Sequence, residues 1–136
     1  MSRASAEDLT KALCLVAVGG GVGAVVRYLL TETLVGAAYP VPWPTLTVNT
    51  VGCLLMGVLM TLTGRMELHR QPVHLLLGTG FLGGFTTFSH LLDSVRQLLR
   101  DGAPALSLFY TVLGVVLGIV AVWLGTLIAR TQRKVG

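Results

Sequence analysis

The residues best placed to do chemistry form one stretch, Gly78-Thr79-Gly80-Phe81-Leu82-Gly83-Gly84-Phe85-Thr86-Thr87-Phe88-Ser89, inside an uncharged run from Val73 to Leu92. A run of that length is about what crosses a bilayer, at roughly 20 residues per span. Four glycines and two adjacent threonines are poor material for a continuous helix interior. Backbone that leaves its helical bonds at membrane depth survives only when buried in protein or lining a polar cavity. Broken helices of this kind offer free carbonyls or N–H groups to ions. The density of the cluster favours such an ion-binding break; close helix–helix contact through glycine is the alternative.

The other polar groups within apolar runs are neutral: Thr45, Asn49, Thr86, Thr87, Ser89 and Tyr110. Amide and hydroxyl donors suit an anion. A phenylalanine ring edge also carries positive partial charge. Carbonyls freed by a break favour a cation instead. No nucleophile–base pair, metal-spaced His/Cys/Asp/Glu cluster or phosphate-cradling loop is present. Every carboxylate (Glu7, Asp8, Glu32, Glu67, Asp93, Asp101) falls at a span end or in a connection. Proton-coupled export normally needs an ionisable group within the membrane. Enzymatic activity and proton antiport are therefore disfavoured; a passive ion pathway or a structural membrane protein remains.

Composition sets the elements that must position these groups. The 136 residues are 53% hydrophobic and 12% charged, with a mean hydropathy of +0.77. Soluble domains carry about a quarter charged residues. The chain is expected to be an all-α integral membrane protein, one membrane domain over residues 1–136. A net charge of +4, confined to ends and connections, gives no case for a nucleic-acid partner. Basic residues there suit the cytoplasmic face and anionic membrane lipid. Cys14 and Cys53 lie in apolar runs, where small buried hydrophobes are expected.

Four spans are expected, at residues 12–30, 45–63, 73–92 and 105–129, with a glycine-rich break in the third. In the first, Gly19 and Gly23 would let another helix approach closely. Arg27, near its end, either snorkels to the interface or faces a polar cavity. Pro40, Pro42 and Pro44 keep the connection between the first two spans from continuing as helix, and Trp43 suits an interface. In the second span Thr45, Asn49 and Cys53 share one helix face. A charged connection, Gly64 to Pro72, leads to the third. After the break, Leu91, Leu92, Val95, Leu98 and Leu99 alternate with charged residues as an amphipathic extension. It closes at Gly102 and Pro104, and Asp93 and Arg96 are spaced for a surface pair. Tyr110, Gly114 and Gly118 make one stripe in the fourth span.

An even number of spans places both termini on one side, together with Arg3, Lys11, Arg65, Arg70, Arg130, Arg133 and Lys134. The other side holds only Arg96 and Arg100. The positive-inside rule puts both termini in the cytoplasm, with the chain multi-pass in the cell membrane.

Three motifs on three spans resemble the Fluc, or CrcB, family of fluoride channels. They are Gly20-Gly21-x-Gly23-Ala24-x-x-Arg27-Tyr28, Thr45-Leu46-x-x-Asn49-x-x-Gly52, and Gly80-x-x-Gly83-Gly84-x-Thr86-Thr87-Phe88-Ser89. The ordered set is specific and covers roughly Ala17 to Gly118. The resemblance implies an antiparallel dimer of four-span subunits with two fluoride pores along its interface. It implies a structural sodium ion held by backbone carbonyls at the third-span break, here those of Gly83 and Thr86. It implies a fluoride pathway past Asn49, Thr45, Phe88, Ser89 and Tyr110, with Arg27 beside it. The activity implied is passive, selective fluoride exit, giving fluoride resistance.

The chain departs from the family pattern in two places. Leu91 stands where a second pore phenylalanine belongs, while Phe85 is an extra one. Gly114 and Gly118 stand where serines continue the polar track from Tyr110. The charge bias, seven against two, also suits a fixed orientation better than dual insertion. One subunit of a heterodimeric channel is therefore expected. A homodimer with an atypical pore, and a non-conducting membrane scaffold, are the alternatives.

Overall fold

The computed structural model describes residues 3–34, 42–63 and 71–135, all of it helix, turn or short connection, with no strand among them. The expected turn at Pro40 and the charged connection from Gly64 to Arg70 lie outside the described residues. The elements are α1 (Arg3–Leu34), α2 (Trp43–Thr63), α3 (Gln71–Val73), a π-helix (His74–Leu82), α4 (Gly83–Phe85), α5 (Phe88–Arg100) and α6 (Pro104–Val135). Among the described residues, four stretches are long and apolar enough to cross a membrane: Ala6–Thr33, Trp43–Thr63, His74–Arg100 and Pro104–Thr131.

Helix starts and stops follow local chemistry. Pro44 sits in the first turn of α2 and Pro104 opens α6, positions where a missing N–H costs nothing. Gly102, at φ +72°, ends α5 in the left-handed conformation that glycine tolerates. The Ala103 N–H then returns to the Leu98 carbonyl at 2.9 Å. Along α5, Leu91, Ser94 and Leu98 are buried at helical spacing. The opposite face carries Asp93, whose carboxylate accepts from Arg96 at 2.6 and 2.9 Å and from Gln97 at 2.8 Å.

The helices associate mainly in two pairs, α1 with the 74–85 stretch and α2 with α6, and α5 lies against α6. Glycine makes both pairings possible. A Cβ on Gly19 would strike the Leu76 carbonyl, and one on Gly23 the Phe81 carbonyl. On the facing strip, a Cβ on Gly84 would strike the Gly20 carbonyl. In the second pair, Gly57 abuts the Val122 carbonyl and Gly125 the Leu54 carbonyl. Small residues of this kind let membrane helices approach backbone to backbone. The glycines of the third span keep helical dihedrals up to Gly83, at φ −64° and ψ −37°. Their register is π from His74 to Leu82, nine residues long, a widening that composition does not signal. Leu46, Leu91, Leu98 and Tyr110 form a buried cluster joining α2, α5 and α6.

Candidate functional site

The third span is interrupted at two threonines. Thr86 (φ −82°, ψ 151°) and Thr87 (φ −148°, ψ 122°) are extended between α4 and α5. Thr86 closes the upstream helix, its N–H and its Oγ1 both donating to the Leu82 carbonyl, at 3.0 and 2.9 Å. Thr87 caps the downstream one, its Oγ1 accepting from the His90 N–H at 3.3 Å. Among the described residues, no protein donor reaches the carbonyls of Gly83, Phe85 or Thr86.

Two side chains from other spans fasten this interruption. Asn49 of α2 pairs with Thr87 through both ends of its carboxamide. Its Nδ2 donates to the Thr87 carbonyl and its Oδ1 accepts from the Thr87 N–H, each at 2.8 Å. Those backbone partners fix the amide orientation, because only Nδ2 can donate and only Oδ1 can accept. Arg27 of α1 bridges the two sides. Its Nε donates to the Gly84 carbonyl at 3.2 Å, and its Nη1 lies 2.7 Å from His90 Nδ1. A guanidinium only donates, so Nδ1 is the acceptor in this contact. Arg27 is half-buried and meets polar groups of the protein, but it does not line the groove beside the interruption.

Beside the interruption lies an open groove of about 530 Å³. Asn49, Thr86, Thr87 and Phe88 form its polar and aromatic side; Cys53, Leu91, Gly114 and Gly118, with Val115, Ile119 and Val122 of α6, complete the lining. Phe88 is 69% exposed. Ser89 is exposed next to it, beyond the groove lining. Thr45 and Tyr110 do not line the groove. Tyr110 is completely buried and donates its hydroxyl to the Pro42 carbonyl at 3.1 Å, and Thr45 is buried too. Phe85 is a packing residue, stacked on Phe81 with ring centroids 5.8 Å apart.

Sequence reasoning missed two buried serines. Ser94 donates to the His90 carbonyl at 2.9 Å, and Ser107 of α6 to the Val95 carbonyl at 3.2 Å, tying α6 to α5. Ser94 stands between Leu91 and Leu98 on the apolar stripe of α5, a position that could have flagged it.

Four membrane-length stretches among the described residues, the third of them interrupted at Thr86 and Thr87 beside an open groove, define a multi-pass membrane protein. The family of CrcB-like proteins (Camphor Resistance, CrcB) matches residues 14–126, and the chain belongs to that family. Curated relatives named fluoride-specific ion channel FluC align over most of both chains. The relative from Phocaeicola vulgatus is 43% identical over 85% of this chain and 95% of its own length. The Prosthecochloris aestuarii relative is 40% identical over 91% and 97%, and the Agrobacterium fabrum relative 44% identical over 87% and 95%.

Proposed function

We propose that this chain is a subunit of a fluoride-selective passive channel that lets fluoride leave the cytoplasm, and that it is not an enzyme. The observation that carries this reading is the meeting of Asn49 and Phe88 on one groove beside the interruption, in a chain whose relatives are named for fluoride conduction. A small anion costs tens of kcal/mol to strip of water in a low-dielectric medium, so donors must replace its shell. Asn49 Nδ2 carries a second hydrogen beyond the one given to Thr87, and Phe88 offers a ring edge. Ser89 and Arg27 supply a hydroxyl and a positive charge at the mouth. Thr45 and Tyr110 act behind the groove wall, where Tyr110 anchors the start of α2.

The groove is open along the chain's own surface, and a second subunit in antiparallel orientation would close it into a pore. The same pairing fits a structural sodium ion. The carbonyls of Gly83, in the last helical turn before the interruption, and of Thr86, in the extended pair, are hard neutral oxygens with no protein donor among the described residues, a helix-end and an unwound-backbone ligand of the kinds sodium takes. Bound there, sodium would supply positive charge that holds the two interruptions together. Two carbonyls are too few for one cation, and the matching pair from a second subunit would complete the set.

The loop charge bias favours a fixed orientation, with both termini in the cytoplasm and the basic ends on anionic lipid. That bias favours pairing with a related chain of opposite orientation over self-pairing. The test is fluoride efflux from liposomes holding this chain alone, read with a fluoride electrode against chloride. Folded protein without efflux, with efflux restored by a related chain, is the expected result. Selective efflux from the chain alone would establish the homodimer; no fluoride flux with any related chain would overturn the channel.

A further inference from the structure

We propose that Asn49 is a positioning residue for the interrupted backbone, aiming one carbonyl and one N–H away from α2. The argument rests on peptide geometry. A trans peptide unit is planar, with its C=O and N–H pointing in opposite directions, and no cis bond occurs among the described residues. Asn49 Oδ1 holds the Thr87 N–H, which lies in the same plane as the Thr86 carbonyl. The Thr86 carbonyl is thereby turned away from Asn49. Asn49 Nδ2 holds the Thr87 carbonyl, which shares a plane with the Phe88 N–H. That N–H is turned away as well.

One side chain therefore orients two groups of opposite polarity. Thr86 presents an acceptor suited to a cation, and Phe88 presents a donor at the start of α5. The Thr86 N–H still closes the upstream helix on the Leu82 carbonyl, but extended dihedrals at Thr86 and Thr87 leave the two peptide groups that follow it outside the helical ladder, so their direction depends on the side chain that grips them. Arg27 cannot substitute, because its contacts fall on Gly84 and His90, either side of the pair. The cation half of this inference rests on the proposed sodium site; the geometric half does not.

The test uses the full chain in detergent or nanodiscs, with Asn49→Ala and Asn49→Asp beside the wild type. Amide hydrogen exchange at Thr87 is read in each, and thermal stability is read with sodium against a large organic cation. Asn49→Ala is expected to speed Thr87 exchange by about tenfold or more, the scale of a lost buried hydrogen bond. It should also remove the sodium-dependent rise in melting temperature. Asn49→Asp, read below the ordinary carboxyl pKa so that the neutral acid both accepts from the Thr87 N–H and donates to the Thr87 carbonyl, should retain both the slow exchange and the sodium effect. Wild-type exchange and sodium response in Asn49→Ala would show that Asn49 meets only the permeating anion, overturning the proposal. If Asn49→Ala does not fold, Asn49→Asp decides: fast exchange at Thr87 in that variant overturns it, slow exchange supports it. A wild type without any sodium response would remove the sodium reading alone, and Thr87 exchange would still decide the positioning role.

Discussion

Leu91 Cδ1 lies 2.8 Å from the point where a Cβ on Gly114 would stand. The leucine side chain occupies the space that any larger residue of α6 would need, and Leu46 Cδ2 comes within 3.2 Å of the same point. Leu91 is only 5% exposed. Leu91 and Gly114 are therefore one packed unit, in which the glycine makes room for the leucine, while a Cβ on Gly118 would meet Cys53 Sγ at 3.6 Å instead.

Gly114→Ser is expected to destabilise the chain by about 1 kcal/mol, the low end of the overpacking range, because the atoms it meets are the ends of leucine side chains and Leu91 borders the open groove. Leu91→Ala should relieve much of that strain, so the double variant should be less impaired than the two single costs added. Thermal unfolding of the four species gives the coupling, expected at about 0.5–3 kcal/mol for touching residues. Additive costs would mean that the two positions act independently.

Gly84 and Gly21 provide a sharper contrast. A Cβ on Gly84 meets the Gly20 carbonyl, a backbone atom that cannot swing aside, whereas one on Gly21 meets nothing within 4 Å. Gly84→Ala should force α1 from the third span and greatly reduce recovery of folded protein. Gly21→Ala should be neutral or slightly stabilising, since alanine is favoured over glycine in helices by about 1 kcal/mol. Size-exclusion profiles and melting temperatures of the two variants check this, and equal behaviour would mean that the α1 contact is not backbone-limited.

Much of this arrangement is written in residue spacing. Gly19 and Gly23 pack against the third span because small residues four apart share a helix face. Asn49 and Cys53, also four apart, reach the same groove, and Asp93 and Arg96 pair on the exposed face of α5. Thr45 belongs to that same row yet ends up buried beyond the groove, because a row of equal spacing says nothing of where a neighbouring helix covers it. The grip of Asn49 on Thr87 was equally hidden: the two are 38 residues apart, and an amide accepts any partner of suitable geometry. The π register of residues 74–82 has no compositional mark either, because glycine and leucine serve α and π turns alike.

Arg27→Lys tests the bridge over the interruption. An ammonium is a compact donor and cannot span the Gly84 carbonyl and His90 Nδ1 as the guanidinium fork does. Loss of one charge-assisted hydrogen bond is expected to lower stability by about 1–2 kcal/mol for this half-buried group. Fluoride efflux, measured with whichever subunit pairing conducts, should fall with it. A lysine variant with wild-type stability and flux would show that only the positive charge matters.

Phe88→Ile separates conduction from folding. Phe88 is 69% exposed, so its ring adds little to the packing of this chain, and the substitution should change the melting temperature of the isolated subunit very little, within about 0.5 kcal/mol. It removes the aromatic edge from the groove and puts in its place an aliphatic surface with no positive rim. Fluoride efflux from liposomes should therefore drop sharply while the assembled complex still elutes at its normal size. Unchanged efflux would take Phe88 out of the pathway. A complex that no longer assembles would place the ring at the subunit interface instead, as a contact residue that a second subunit covers.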